Sequence, residues 1–147
     1  MNKFYKDLQT GLFYETELMK HIKHKSYEQS QGNFKEYDLK VYKKNGSTST
    51  YEVKADKMIN ITGNICIEYM CRNKPSGIST STAKYWTIFE CKDMNYTIYK
   101  IPRKFLIYCI ENKKYFKDCN GGDNMASKLY LFKKDLFKDY IIYSNIQ

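Results

Sequence analysis

Apolar residues recur at helical spacing early in the chain and alternate with polar residues further along. In the stretch 10–25 they are Leu12, Phe13, Leu18, Met19 and Ile22. This spacing predicts a helix, for which Thr10 is an acceptable N-cap. Alternation over 37–43 and a Thr-, Tyr- and Val-rich stretch over 49–55 predict two strands. Asn45-Gly46 between them is a strong turn signal, so the two strands should form an antiparallel hairpin.

The remainder of the chain reads as further strands and helices without an internal repeat or a low-complexity linker. Strands are predicted over 65–71, 86–92 and 96–101 and around 129–132. Helices are predicted near 81–85 and over 103–115, the second after Pro102, and a terminal helix or turn ends the chain. The order α-β-β-β-α-β-β-α-β predicts a single α/β domain over 1–147.

Composition narrows the classes of protein to consider. Hydrophobic residues make up 42% of the 147 positions and aromatics 16%, which excludes a disordered or collagen-like chain. The net charge of +9 together with 15 Tyr and 8 Phe favours a nucleic-acid partner, with an anionic membrane surface as the other option. Five cysteines without a C-x-x-C pair indicate neither a disulfide framework nor a zinc ribbon.

Targeting signals are not evident in the sequence. No apolar run approaches the roughly 18 residues of a membrane span, and the start of the chain lacks the apolar core of a signal peptide. We therefore expect an intracellular protein of the cytoplasm or nucleus of a host cell, neither secreted nor membrane-embedded.

The predicted hairpin carries a candidate metal site. Asp38 lies on its first strand and Glu52-Val53-Lys54 on its second, where alternation puts Glu52 and Lys54 on the same face. Two carboxylates and the backbone carbonyl of Val53 form a hard-oxygen site suited to Mg²⁺. Lys54 could orient or activate water, or stabilise charge on a phosphate. The alternative is a solvated strand face with alternating charges.

Two further groups of polar residues have an open role. Glu68 on the predicted strand 65–71 is a further candidate metal ligand, or it pairs with Arg72 or Lys74. The candidate phosphate-binding residues after that strand are Lys74, Ser76, Ser79, Thr80 and Lys84. Hydroxyls, backbone N–H groups and lysines are suited to phosphate contacts, although the same residues also suit an ordinary turn and helix N-cap.

Several segments resemble the PD-(D/E)xK nuclease superfamily from Gly11 to about Phe132. The octapeptide Gly11-Leu12-Phe13-Tyr14-Glu15-Thr16-Glu17-Leu18 is similar to the G-x-x-x-E-R-E-L helix of archaeal Holliday-junction resolvases, with Thr16 in place of the arginine. Asp38 follows Tyr37 instead of the nominal proline, and Glu52-Val53-Lys54 matches the E-x-K motif. The segments 62–69, 75–80 and 83–86 resemble a phage and viral branch of the superfamily.

The resemblance implies a restriction-endonuclease-like core, in which a central mixed β-sheet of about five to six strands is flanked by helices. It implies a metal-dependent DNA endonuclease, structure-selective and active in recombination, repair or replication. Asp38 and Glu52 would be inner metal ligands, Glu15 a ligand through water and Lys54 the catalytic lysine. The cofactor would be Mg²⁺, with Mn²⁺ as a substitute, and Lys84 would lie near the scissile phosphate.

Branched or other non-B DNA is the expected partner, and a symmetric junction cut at two points would need a homodimer. Three alternatives stay open. The chain could be a restriction-like, nicking or exonucleolytic repair nuclease, because one metal site supports many substrates. It could be a non-catalytic nucleic-acid-binding module on the same fold, or a basic scaffold protein in which Glu15 is an ordinary exposed helix acid.

Overall fold

The computed structural model describes residues 3–32, 34 and 36–147, with side chains from Thr10 onward. The described helices are α1 (Lys3–Met19), α2 (Met58–Thr62) and α3 (Arg103–Glu111). The described strands are β1 (Ser26–Gln29), β2 (Leu39–Tyr42), β3 (Thr48–Asp56), β4 (Asn64–Cys71), β5 (Lys74–Pro75), β6 (Tyr85–Lys92), β7 (Asn95–Pro102), β8 (Lys117–Gly121), β9 (Ser127–Lys133) and β10 (Ile141–Ser144). None of the described helices combines the length and the apolar character that crossing a membrane requires.

The strands form two sheets. The first has six strands in the order β1-β2-β3-β6-β7-β10. It is mixed, because β3 and β6 run parallel while all other pairs of neighbouring strands in this sheet are antiparallel. The second has four antiparallel strands in the order β5-β4-β9-β8. The predicted α/β class and a mixed six-stranded sheet are therefore confirmed.

Buried apolar side chains lie on both faces of the six-stranded sheet. On one face α1 packs over β2, β3, β6 and β7, and this core is formed by Leu18, Met19, Ile22, Leu39, Val41, Tyr51, Phe89 and Ile98. On the other face lie the second sheet and α3, and the larger core there includes Ile65, Ile67, Trp86, Ile88, Ile101, Leu106 and Phe132. The six-stranded sheet is thus the middle layer, which α1 covers from one side.

The predicted hairpin is confirmed as β2 and β3. Its antiparallel register runs from Tyr42↔Thr48 to Leu39↔Tyr51. Gly46 in the turn has φ of +86°, a conformation that glycine adopts without steric cost. The strands predicted over 65–71, 86–92 and 96–101 are confirmed as β4, β6 and β7.

Two of the predicted helices are placed differently by the structure. The first helix spans 3–19 instead of 10–25, so Thr10 lies inside α1. Its C-terminal end comes early because the chain joins the sheet, where the N–H of Lys25 donates to the carbonyl of Tyr42. The helix after Pro102 begins as predicted but ends at Glu111, since Lys113 adopts a positive φ of +52°.

The helix predicted near 81–85 is wrong. A 3₁₀ turn covers Gly77–Ser79, its last hydrogen bond runs from the Ser81 N–H to the carbonyl of Gly77, and residues 81–84 lead into β6 without helical structure. The N–H of Thr82 donates to the carbonyl of Glu36, and that of Lys84 donates to Thr50 Oγ1. Tertiary partners have taken the backbone groups that a helix would need.

The strands predicted at 65–71 and around 129–132 do not belong to the central sheet. They pair with each other as β4 and β9, with Ile65 opposite Phe132 and Ile67 opposite Tyr130. The sequence also did not predict β1, β8 and β10, and the last of these completes the six-stranded sheet beside β7 after 3₁₀ turns over Lys134–Tyr140.

Candidate functional site

Asp38 is fixed beside β3 at the point where the hairpin ladder ends. Its N–H donates to the carbonyl of Tyr51 at 2.9 Å, as an ordinary ladder bond would. Its carboxylate Oδ2 then accepts the N–H of Val53 at 2.8 Å, in place of a further backbone partner. The side chain of Asp38 is thereby held next to the residue between Glu52 and Lys54.

Glu52 and Lys54 form an ion pair on the same strand. Glu52 Oε1 lies 3.4 Å from Lys54 Nζ; the Glu52 side chain is 13% exposed and that of Lys54 55% exposed. The carbonyl of Glu52 accepts a hydrogen bond from Thr87 Oγ1 at 2.7 Å, which ties this part of β3 to β6. The Lys54 ammonium group is therefore accessible to solvent, whereas the carboxylate of Glu52 with which it pairs is nearly buried.

Glu15 joins this hairpin from α1, on which it is partly buried. Burial, and after it the negative charges of Asp38 and Glu52, raise its pKa from 4.5 to about 7. The structure thus brings together the helix acid and the hairpin acids that the sequence singled out separately.

Burial raises the pKa values of the two hairpin acids, and Lys54 only partly offsets this shift. The pKa of Glu52 is raised to about 7, chiefly by burial and also by the charge of Asp38, while Lys54 opposes the shift. Burial also raises the pKa of Asp38, against the N–H of Val53 and the charge of Lys54. Acids with pKa values raised by burial are typical of functional sites, so Glu15, Asp38 and Glu52, with the exposed Lys54, form the candidate site.

The donor atoms at this site suit a hard cation. In an extended strand the N–H and C=O of one residue point to the same edge, so the carbonyl of Val53 faces the edge where Asp38 lies. Asp38, Glu52 and this carbonyl would supply the oxygen ligands that Mg²⁺ takes, with waters completing the shell. Among the described side chains no three His, Cys, Asp or Glu converge tightly enough to form a ready-made metal cluster.

Glu68 is engaged with a partner outside the three acids. Its Oε1 accepts a hydrogen bond from Ser127 Oγ at 2.7 Å. It lines a cleft of 240 Å³ between the two sheets, together with Lys54 and Trp86. In the described part of the chain neither Arg72 nor Lys74 forms an ion pair with Glu68, so the pairing considered from the sequence is not formed.

The cleft depends on a close approach at Gly77. This residue has φ of +53°, and a Cβ built on it would lie 2.1 Å from the carbonyl oxygen of Glu68. Only glycine fits this position, because the neighbour is backbone. The sequence gives no signal for this contact, since the two residues meet only after the loop folds back on β4.

Hydroxyl groups of the predicted phosphate-binding loop form hydrogen bonds to nearby backbone carbonyls. Ser79 Oγ donates to the carbonyl of Tyr69 at 2.8 Å, and Thr80 Oγ1 donates to that of Gly77 at 3.3 Å. Ser76 Oγ is buried without a described partner. Lys74 is exposed at the end of the second sheet, so these residues do not form one cluster with the three acids.

Lys84 differs from the rest of that group because it has cationic and aromatic neighbours. Its Nζ lies 5.4 Å from the centroid of the Tyr85 ring. Lys100 approaches the same ring, and both Lys84 and Lys43 act electrostatically on Lys100. Sequence reasoning missed Lys43 and Lys100, and the only local signal was the lysine pair beside the Asn45-Gly46 turn.

Comparisons with protein-family models, curated proteins and solved structures give no match to this chain. The proposed function therefore rests on the geometry of the site.

Proposed function

We propose that this protein is a metal-dependent DNA endonuclease with a restriction-endonuclease-like active site. One observation carries the proposal: the hydrogen bond from the Val53 N–H holds Asp38 beside the Glu52–Lys54 pair, whose Oε1 and Nζ lie 3.4 Å apart. A binding module for a polyanion has no need for a concentration of acids. The parallel β3–β6 pair beside the β2–β3 hairpin and the helix α1 that supplies Glu15 support the restriction-endonuclease-like arrangement.

Each residue has a role that its position allows. Asp38 and Glu52 would hold Mg²⁺, which when bound supplies a Lewis acid for the phosphate and lowers the pKa of a coordinated water. Glu15 would accept a hydrogen bond from a water bound at this site. Lys54, the exposed member, donates to the attacking water or to a phosphate oxygen on which charge develops.

The substrate is DNA, and branched DNA is the class we favour. The net charge of +9 suits a phosphate backbone. A four-way junction has two equivalent points of cleavage, so a homodimer with two active sites would match its symmetry. Sizing the protein alone and with a junction tests this point separately from the cleavage reaction.

Cleavage of labelled duplex, single-stranded, flap and four-way-junction DNA with Mg²⁺, Mn²⁺ or EDTA tests the proposal. Asp38→Asn and Lys54→Met should abolish cutting. Asp139→Asn and Lys113→Met, at exposed positions elsewhere, make the same chemical changes and should leave it intact. Circular dichroism establishes that all four variants fold.

Metal-dependent cutting that is lost only in the first two variants supports the proposal, and the panel ranks the substrates. Tight binding without cutting in any metal would instead identify a non-catalytic nucleic-acid-binding module. Cutting that persists in Asp38→Asn would place the active site elsewhere.

A further inference from the structure

Three lysines lie near one another at the end of the six-stranded sheet where β6 begins, and two of them approach the ring of Tyr85. Lys100 Nζ lies 4.3 Å from the centroid of the Tyr85 ring and 5.7 Å from that of Tyr51. Lys84 Nζ lies 5.4 Å from the Tyr85 ring. Lys43, in the β2–β3 turn, is the third, and cation–π contacts hold two of the three ammonium groups in place.

These lysines have no acidic counterpart. Burial lowers the pKa of Lys100, and the charges of Lys43 and Lys84 lower it further. Among the described residues none of the three lysines forms an ion pair with a carboxylate, although ion pairs form at other lysines such as Lys20 and Lys134. Like charges held together without compensation destabilise a fold, so their presence in one place indicates a ligand that neutralises them.

Two hollows extend this cluster into a trough. One, of 250 Å³, is lined by His21, Ile22, Lys23, Lys43, Lys100 and Ile142. The other, of 570 Å³, is lined by Lys23, His24, Lys43, Lys44 and Asn45. Lys23 and Lys43 line both hollows and no acid lines either. We call the surface formed by Lys23, Lys43, Lys44, Lys84 and Lys100 the basic trough.

The basic trough begins close to the candidate active site. The N–H of Lys84 donates to Thr50 Oγ1 at 3.0 Å, and Tyr85 pairs with Tyr51, the residue before Glu52. A strand rises about 3.3 Å per residue, so Glu52 is roughly 7 Å along β3 from Thr50. The side chains of Tyr51 and Glu52 point to opposite faces of the sheet, so the trough and the carboxylates share β3 but lie on different faces.

We infer that the basic trough binds the phosphodiester backbone of a nucleic-acid strand. This deepens the proposed function, on which it rests for the identity of the strand as DNA substrate. The concave shape favours a chain of phosphates over a membrane, because a flat anionic surface cannot reach lysines that line hollows. The main backbone contact thus lies at the trough and not at the predicted loop over 74–80.

Binding measured in EDTA, where no metal-dependent cleavage occurs, tests this inference. The test variant is Lys43→Gln/Lys44→Gln, in the β2–β3 turn, and Lys100→Gln is a second. The control is Lys92→Gln/Lys113→Gln, which removes the same charge from exposed positions outside the trough. Fluorescence anisotropy with a short labelled DNA duplex gives affinity as a function of salt.

The control should stay close to the unmodified protein. Each lost phosphate contact should reduce the slope of log affinity against log salt by about 0.9, so the test variant should lose about 1.8. Equal losses in the test and control variants, or a test variant that binds as the unmodified protein does, would overturn the inference. A test variant that loses binding to anionic phospholipid vesicles but keeps DNA binding would assign the trough to a membrane instead.

The inference and the proposed function fail in different ways. Binding that depends on the trough without cleavage in any metal would leave the trough in place and remove the nuclease. Cleavage lost in Asp38→Asn, with binding unaffected in Lys43→Gln/Lys44→Gln, would keep the nuclease and remove the trough.

Discussion

The carboxylate of Asp38 accepts the backbone N–H of Val53 at 2.8 Å, across the end of the β2–β3 hairpin. One side chain thereby serves two purposes. It closes the hydrogen-bond ladder where β2 has ended, and it holds a charged oxygen next to Glu52 and Lys54. Loss of the charge and loss of the hydrogen bond are therefore separable by mutation.

Replacement of Asp38 should separate these two purposes in stability. Asp38→Asn keeps an acceptor for Val53 and removes a charge that burial disfavours, so its free energy of unfolding should equal or exceed that of the unmodified protein. Asp38→Ala leaves the N–H of Val53 without its partner and should be about 1–2 kcal/mol less stable than Asp38→Asn. Urea denaturation at neutral pH in EDTA measures both. Equal stabilities of the two variants would contradict the role of the hydrogen bond.

Glu15 should make stability depend on pH in the absence of divalent cations. Its pKa is raised from 4.5 to about 7, chiefly by burial and then by Asp38 and Glu52, so folding favours the neutral acid. Its stabilising contribution is complete below about pH 4.5 and is lost as the pH rises through about 7. Above that pH, Glu15→Gln should be more stable than the unmodified protein, by on the order of 2 kcal/mol.

Thermal unfolding across this pH range measures the effect. Glu111→Gln, at an exposed position at the end of α3, is the matched control and should follow the unmodified protein. Parallel curves for Glu15→Gln and the unmodified protein would show that Glu15 does not meet the other two acids.

Mg²⁺ should stabilise the protein most where these acids are ionised. Glu52 has a pKa of about 7 because burial and Asp38 outweigh Lys54, so the shift in Tm on adding Mg²⁺ should be larger above that pH than below about 4.5. At a hundredfold excess over the dissociation constant, binding contributes about 2.7 kcal/mol. Glu52→Gln should lose this shift and Glu111→Gln should keep it. An equal shift in both would indicate metal binding elsewhere.

A buried ion pair connects the six-stranded sheet to the segment that follows β9. Glu90 is 3% exposed in its side chain; its Oε2 accepts from Lys134 Nζ at 2.8 Å, and Asn60 and Tyr99 also donate to it. Burial alone would raise the pKa of Glu90, but these three hydrogen bonds hold it below its usual value. The carboxylate therefore depends on its donors to stay charged in the interior.

Lys134→Met should leave this buried carboxylate with two of its donors. We expect a loss of about 2 kcal/mol in the free energy of unfolding, less than the cost of breaking a fully buried pair because Lys134 is 38% exposed. Lys138→Met, which changes a more exposed lysine in the same segment, should be close to neutral. Guanidinium denaturation compares the two, and equal effects would contradict a stabilising role for the pair.

Gly77→Ala should destabilise the protein through the backbone contact with Glu68. Its φ of +53° and the 2.1 Å approach of an added Cβ to the Glu68 carbonyl oxygen require the loop to move. We expect a cost of about 2–4 kcal/mol. Gly32→Ala has a similar φ of +67° but open space around the added Cβ, so it should cost only about 1 kcal/mol. Differential scanning calorimetry distinguishes the two, and equal Tm values would rule out the steric contact.

The parts of the site that sequence reasoning predicted are those set by local chain geometry. Asp38 and Glu52 face each other because an Asn-Gly turn joins two short alternating strands, and the i, i+2 spacing puts Lys54 on the face of Glu52. The strands β4, β6 and β7 and the start of α3 after Pro102 follow from equally local signals. The helix predicted near 81–85 failed because its backbone groups bond to Glu36 and Thr50, which are distant in sequence.

The acids of the hairpin, the lysine beside them and the basic net charge of this protein could be identified from the sequence without a structure. Long-range packing places β4 and β9 in a second sheet, brings Glu15 of α1 towards the hairpin, and gathers Lys84 and Lys100 at Tyr85 with Lys43 near Lys100. The physical reason is that hydrophobic periodicity shows which face of a helix or strand is apolar, but not which other helix or strand packs against that face. That choice follows from long-range packing, which no short stretch of this sequence specifies.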